Sequence, residues 1–257
     1  MGIVAVFEEV ESSWTLDSDG YDDLIQKELT NRRNMRYWSH ELAKQLGNKP
    51  LRVLEVGCGP GFFTVMLCRL GHHVKAIDGS EGMIANARAN VAADGQKAII
   101  EEQDAVTLPN EENESYDVII SRDVVWTLYD PEQAFRRWKE VLAPGGRVIY
   151  YDGNYRRDDR SLKRTVWEWT SRNILQVVLD RKRPGKKTNH ADSADFEDLP
   201  MVTRERPGAD VPLLQAAGFQ DIQVTDDKYR NSPTRIEYWK YGYQGRKFRV
   251  IAHKEEA

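Results

Sequence analysis

The sequence predicts an α/β chain built on an open, doubly wound and mostly parallel sheet. From Leu51 onward, short apolar runs alternate with helix-length amphipathic segments, the pattern of βα units. The first run ends in a glycine-rich turn, Gly57-Cys58-Gly59-Pro60-Gly61, that leads straight into a helix pattern. The next runs give way to acidic residues, Asp78, Asp104 and Asp123, where ligands of open sheets gather. At 257 residues and 40% hydrophobic content, the chain can bury one substantial core and is too short for two independent catalytic domains.

Residues 1–49 are polar and helical in character, with Trp14, Tyr21, Leu24, Leu29, Met35, Trp38, Leu42 and Leu46 spaced as two helices that form a cap. Residues 50–152 form the core of one domain spanning 1–257. Its first strand, Leu51 to Val56, enters the glycine turn, and Phe63, Met66, Leu67 and Leu70 mark the helix that follows. The second, His73 to Ile77, ends in Asp78, after which Ser80 caps a helix reaching about Ala93. A third run covers Ala98 to Gln103, and a fourth, Tyr116 to Ile120, leads into Ser121-Arg122-Asp123. Asp130-Pro131 opens a helix whose Phe135, Trp138, Val141 and Leu142 share one face. Pro144-Gly145-Gly146 then turns the chain into a fifth strand, Arg147 to Tyr151. Alternation stops over residues 153–212, a helical, lid-like insertion in which Lys186 to Pro207 reads as mobile loop. The closing part, 213–257, holds the end of a helix running from about Val211 to Ala217, a stop at Gly218 and strands at Ile222 to Thr225 and Lys247 to Ala252.

A glycine turn between strand and helix lets backbone approach a ligand and aims helix N-terminal amides at it. The dinucleotide fingerprint Gly-x-Gly-x-x-Gly is not completed, because Phe62 stands where its third glycine belongs; a glycine at 61 widens the loop instead. This speaks against an NAD-dependent oxidoreductase. Asp78 lies 21 positions after Gly57, where a carboxylate can accept both ribose hydroxyls. Asp104 with Ala105 can read an adenine amino group, so the two strand ends together point to an adenosine-type nucleoside.

Four segments together resemble the class I S-adenosylmethionine-dependent methyltransferases, specifically a bacterial small-molecule branch: Val53 to Gly61, Ile77-Asp78-Gly79-Ser80-Glu81-Gly82-Met83, Gln103-Asp104-Ala105 and Val141 to Gly146. Order and spacing match over about 100 residues. The resemblance implies a Rossmann-like sheet of seven strands with the last inserted antiparallel. It implies S-adenosylmethionine as cofactor, S-adenosylhomocysteine as product, and no metal. Glu55 and Gly57 then face the methionine end, Asp78 the ribose, Met83 the adenine face and Asp104 with Ala105 the adenine amino group, and Cys58, Gly59, Gly61, Gly79, Ser80, Ser121 and Arg122 join them as cofactor-binding candidates. The fourth-strand exit lacks the Asn/Asp-Pro-Pro-Tyr/Phe signature of enzymes that methylate amide or nucleobase nitrogens, so the expected acceptor is a small molecule.

Trp14 and Tyr21 either cement the N-terminal helices or close over the sulfonium or acceptor, since an aromatic face suits a cation. Trp126, just past a strand end, and Asn154 and Tyr155, after the fifth strand, are candidates to line the acceptor's place. Asp123 and His190 are candidates to take a proton from the acceptor. The five histidines and two cysteines show no metal-ligand spacing. A net charge of −4 gives no global attraction for nucleic acid, although residues 153–187 hold eleven Arg or Lys against four Asp or Glu. That run, with Trp167 and Trp169, keeps open an RNA-directed methyltransferase or a non-catalytic cofactor-binding protein. No signal-like start and no apolar run of about 18 residues occurs, so the expectation is a cytoplasmic protein without a membrane span; oligomeric state is left open.

Overall fold

The computed structural model describes residues 11–16, 18–155, 161–180, 196 and 199–256. Seven strands form one sheet: β1 (Arg52–Val56), β2 (His73–Asp78), β3 (Ile99–Glu102), β4 (Tyr116–Arg122), β5 (Leu142–Gly153), β6 (Gln220–Asp226) and β7 (Lys247–His253). Their spatial order is β3-β2-β1-β4-β5-β7-β6. Strands β1 to β5 pair in parallel, and β7 runs antiparallel between β5 and β6. This is the sheet that the resemblance implies, with β7 as the inserted strand. The order reverses beside β1, so a crevice opens at the carboxyl ends of β1 and β4.

Ahead of the sheet, residues 11–16 are helical, followed by α1 (Ser18–Thr30) and α2 (Arg32–Leu46), separated where Asn31 caps α2 by accepting from the amides of Arg33 and Asn34. The βα units contribute α3 (Phe62–Arg69), α4 (Glu81–Ala93) and α5 (Pro131–Val141). Side chains alternate across the parallel strands, so two cores form. One gathers Leu54, Ile119, Phe135, Trp138 and Tyr150; the other gathers Trp38, Val53, Phe63, Ile120 and Tyr151. After β5 come α6 (Leu162–Thr170), a π-helical turn, α7 (Gln176–Asp180), then α8 (Asp210–Ala216) and α9 (Ile236–Tyr241).

Three local expectations change. Pro144-Gly145-Gly146 is not a turn ahead of a strand. Leu142 already pairs with Tyr116, and the register then slips to Val118 opposite Arg147, so the segment is a bulge inside β5. The described part of the stretch expected to be loop is packed: Leu199, Met201, Val202 and Arg206 are buried. Helix α9 was not signalled by the sequence pattern, because its six residues are too few for a period to show.

Candidate active site

The cleft at the switch point holds about 1020 Å³ of empty space, counted out to the solvent at its mouth. Its floor is the β1–α3 turn. Gly57 takes a left-handed φ of +67°, and a Cβ there would fall 2.3 Å from Val124 Cγ2, so only glycine fits between β1 and the β4 exit. The Cys58 amide donates to the Ile77 carbonyl at 2.9 Å, tying the turn to β2; burial pushes the Cys58 thiol far up and keeps it inert. Gly61 serves differently from expectation. It does not line the cleft, and its missing Cβ lets α3 approach Ala87 of α4.

Carboxylates from three strand ends face this floor. Asp78 Oδ2 accepts the Gly59 amide at 2.8 Å and Oδ1 accepts the Ser80 amide at 3.0 Å, so one side chain joins the glycine turn to the start of α4. Burial nevertheless raises its pKa, with the amide bonds opposing. Glu55 is buried and accepts from Thr64 Oγ1 at 2.6 Å, with no ion-pair partner among the described residues. Desolvation pushes it up to about 8, against the pull of Thr64 and Arg122. Asp104 accepts from the Val106 amide, Thr107 Oγ1 and Tyr129 OH at 2.7–2.8 Å, and Ala105 lies beside it. Ser80 caps α4 by accepting from the Met83 amide, which brings Met83 and Gly79 to the wall.

The N-terminal segment makes the roof. Trp14, Tyr21 and Ile25 line the cleft, Trp14 and Tyr21 meeting edge to face at 5.7 Å. Asn90 of α4 donates to Asp22, Thr15 meets Ser80, and Arg122 pairs with Glu28 of α1 at 2.8 Å. Arg122 also stacks 4.6 Å from the Phe62 centroid, so it lines the cleft while bracing the roof.

Beyond Arg122 the site changes character. Asp123, at φ +58°, lines the cleft, but its carboxylate accepts from Tyr155 OH at 2.7 Å and from Arg230 at 2.9 Å, with Lys247 at 3.7 Å. These cations hold it far below the carboxylate range, which makes it a poor proton acceptor at neutral pH and removes the reason for casting it as the base. Tyr155 is turned into this cluster, donating to Asp123 and meeting Lys247, and does not reach the cleft. Asn154 accepts the Arg206 amide at 3.4 Å, also behind the wall. Trp126 is 3% exposed among Trp14, Phe196, Leu199 and Val202, so it supports Trp14 from behind instead of lining the pocket. Ser121 is buried within β4, away from the cleft lining. His190 lies outside the described residues. Among the described residues, no three His, Cys, Asp or Glu side chains gather as a metal site, and no helix is long and apolar enough to cross a membrane.

Sequence reasoning missed Glu11, Ile25, Tyr129, Arg230 and Lys247. Tyr129 had a faint signal, seven residues past the β4 end; the two cations had none, since each reads as an ordinary polar-segment charge.

The sheet order and the strand-end carboxylates define a Rossmann-like fold of the methyltransferase type. Residues 54–150 match the family described as methyltransferase domain. A ubiquinone biosynthesis O-methyltransferase of Caulobacter sp. (strain K31) is 35% identical over 99 residues, 38% of this chain. The match spans 39% of that relative, so the chain spans about two fifths of its length. Among solved structures, an S-adenosylmethionine-dependent methyltransferase from Aquifex aeolicus superposes with TM-score 0.56 at 19% identity, covering 90% of this chain and 97% of that one. The [4+2]-cyclase SpnF superposes with TM-score 0.58 at 16% identity, covering 87% and 82%. At these identities the structures establish the fold alone.

Proposed function

We propose that the chain binds S-adenosylmethionine in this cleft and transfers its methyl group to a small-molecule acceptor. The observation that carries the reading is the convergence of Glu55, Asp78 and Asp104 on one glycine-floored cavity. Glu55 is buried and Asp78 and Asp104 are part-buried, and a carboxylate withdrawn from water without a cation is costly unless a ligand supplies donors. The residues present fit the cofactor. Asp78 keeps lone pairs for the ribose hydroxyls after its two amide bonds, Met83 and Gly79 offer a flat wall to adenine, and Asp104 with Ala105 offers an acceptor and an amide to its edge. Glu55 meets an ammonium at the methionine end.

The sulfonium supplies a methyl already activated for displacement, so the protein's task is alignment and exclusion of water. Tyr21, Trp14 and Tyr129 give aromatic surface near the cleft's mouth, and α1 closes it from above. With Asp123 held ionised by Arg230, no described carboxylate is needed as base for an acceptor already deprotonated. The cyclase with this fold keeps a second reading in view, a reaction on a small molecule without methyl transfer. The match over residues 54–150 favours methyl transfer.

Titration calorimetry with S-adenosylmethionine, S-adenosylhomocysteine and NAD tests the cofactor. Micromolar binding of both adenosyl ligands with none of NAD is expected; binding of NAD alone overturns the reading.

A further inference from the structure

One carboxylate in the cleft comes from outside the sheet. Glu11, on the helical segment 11–16 ahead of α1, lines the cavity together with Asp78 and Gly79. Its position accounts for a glycine that backbone conformation does not require. Gly79 has no left-handed φ, yet a Cβ there would fall 2.5 Å from Glu11 Oε1 and 3.2 Å from Glu11 Cδ, so the carboxylate occupies the space of a side chain next to Asp78. The segment that carries Glu11 is fastened to the same turn. Thr15 Oγ1 meets Ser80 Oγ at 2.9 Å, Ser18 donates to the Thr15 carbonyl at 2.9 Å, and Asn86 of α4 donates to the Ser18 carbonyl at 3.2 Å. A Cβ on Gly82 would lie 2.6 Å from Ser18 Oγ, so the segment crosses Gly79, Ser80 and Gly82 at close range because all three are small.

The neighbours of Glu11 say what it can meet. Each Asp78 oxygen already accepts one amide, from Gly59 or Ser80, while a ribose brings two hydroxyl donors to this strand end. A second carboxylate against the next residue adds acceptors for them. Burial, then Asp104, Asp130 and Glu11, push the Tyr129 phenol up, so the charge of Glu11 is felt between the ribose and adenine ends of the cavity. Like charges at one wall repel, and hydroxyl donors placed between them relieve that repulsion. We propose that Glu11 is a cofactor-binding residue that joins Asp78 in accepting the ribose hydroxyls. Resting on the S-adenosylmethionine reading of the cleft, this assignment makes the segment ahead of α1 part of the cofactor site as well as its roof.

The test is titration calorimetry of the full chain and of Glu11→Ala with S-adenosylhomocysteine and with its 2′-deoxy and 3′-deoxy ribose analogues. The variant is expected to bind S-adenosylhomocysteine about tenfold more weakly than wild type, and that loss should shrink to about twofold or less with at least one deoxy analogue, the one lacking a hydroxyl that Glu11 accepts. An unchanged circular dichroism spectrum and melting temperature show that the variant folds; should it not, Glu11→Gln serves, with a smaller loss in the same pattern. If wild type binds none of the adenosyl ligands, the cofactor reading falls and the role of Glu11 with it. If wild type binds and the folded variant binds equally well, the role of Glu11 alone is overturned. A loss of equal size for all three ligands overturns it too, because Glu11 then steadies the segment without meeting the ribose.

Discussion

Two ends of the same sheet edge handle buried charge in opposite ways. Around β1, β2 and β3, buried Glu55 and part-buried Asp78 meet only hydroxyl or amide donors, and both are pushed upward. Around β4, β5 and β7, the acids are saturated. Asp123 is clamped by Arg230, Asp227 also pairs with Arg230, and Arg206 bridges Asp152 and Asp210 with all three side chains fully buried. A protein gains nothing in stability from leaving acids without a cation beside a cavity, so the first end is poised for a ligand. The second is complete by itself and fixes the segments that follow β5 onto the sheet.

The contrast breaks most visibly at Arg206. Arg206→Ala leaves Asp152 and Asp210 buried without their cation, and such a loss costs about 3–5 kcal/mol. Urea unfolding should show that loss, or the variant should fail to accumulate as folded protein. A midpoint within experimental error of wild type would mean that the cluster is not a structural fastening.

At the other end the larger effect should fall on binding. Asp78→Asn keeps an oxygen for one loop amide but weakens acceptance of two ribose hydroxyls, and losing one or two charge-assisted bonds of about 1.5–3 kcal/mol each lowers affinity at least tenfold. Calorimetry with S-adenosylhomocysteine should show that drop with a much smaller change in unfolding midpoint than Arg206→Ala gives. Equal losses in both variants would erase the distinction between the two ends.

The same contrast explains what could be read from the sequence. Asp78 and Asp104 were legible because a residue at the end of a strand in a βα unit must lie at the carboxyl edge of the sheet; local pattern alone puts it there. The glycine turn was legible for the same reason, though the packing duty of Gly61 was not, since its contact is Ala87 on the next helix. The saturated end was opaque. Arg230 meets Asp123 across 107 positions and Arg206 meets Asp152 across 54, and neither arginine stands in a pattern that distinguishes it from a surface cation. Tyr155 and Trp126 were misplaced by the same gap: the strand end put them near the cleft, but the partners that turned them away come from distant chain.

The sharpest test of the open end is a slope. Burial raises Glu55 from 4.5 to about 8 in the folded chain, so between those values the folded protein holds a proton that the unfolded chain has released. Its contribution to stability is therefore greatest below pH 4.5 and declines as pH rises toward about 8, by at most about 1.4 kcal/mol per pH unit. Glu55→Gln removes the proton and keeps the shape, so wild-type minus variant stability, measured by urea unfolding from pH 5 to 8, should fall across that range. Saturating S-adenosylhomocysteine should flatten the fall, because an ammonium beside Glu55 favours its ionised form and draws the pKa back down. A difference that does not change with pH would mean that Glu55 is already ionised and satisfied, like Asp123. Glu55 would then belong with the closed end of the sheet.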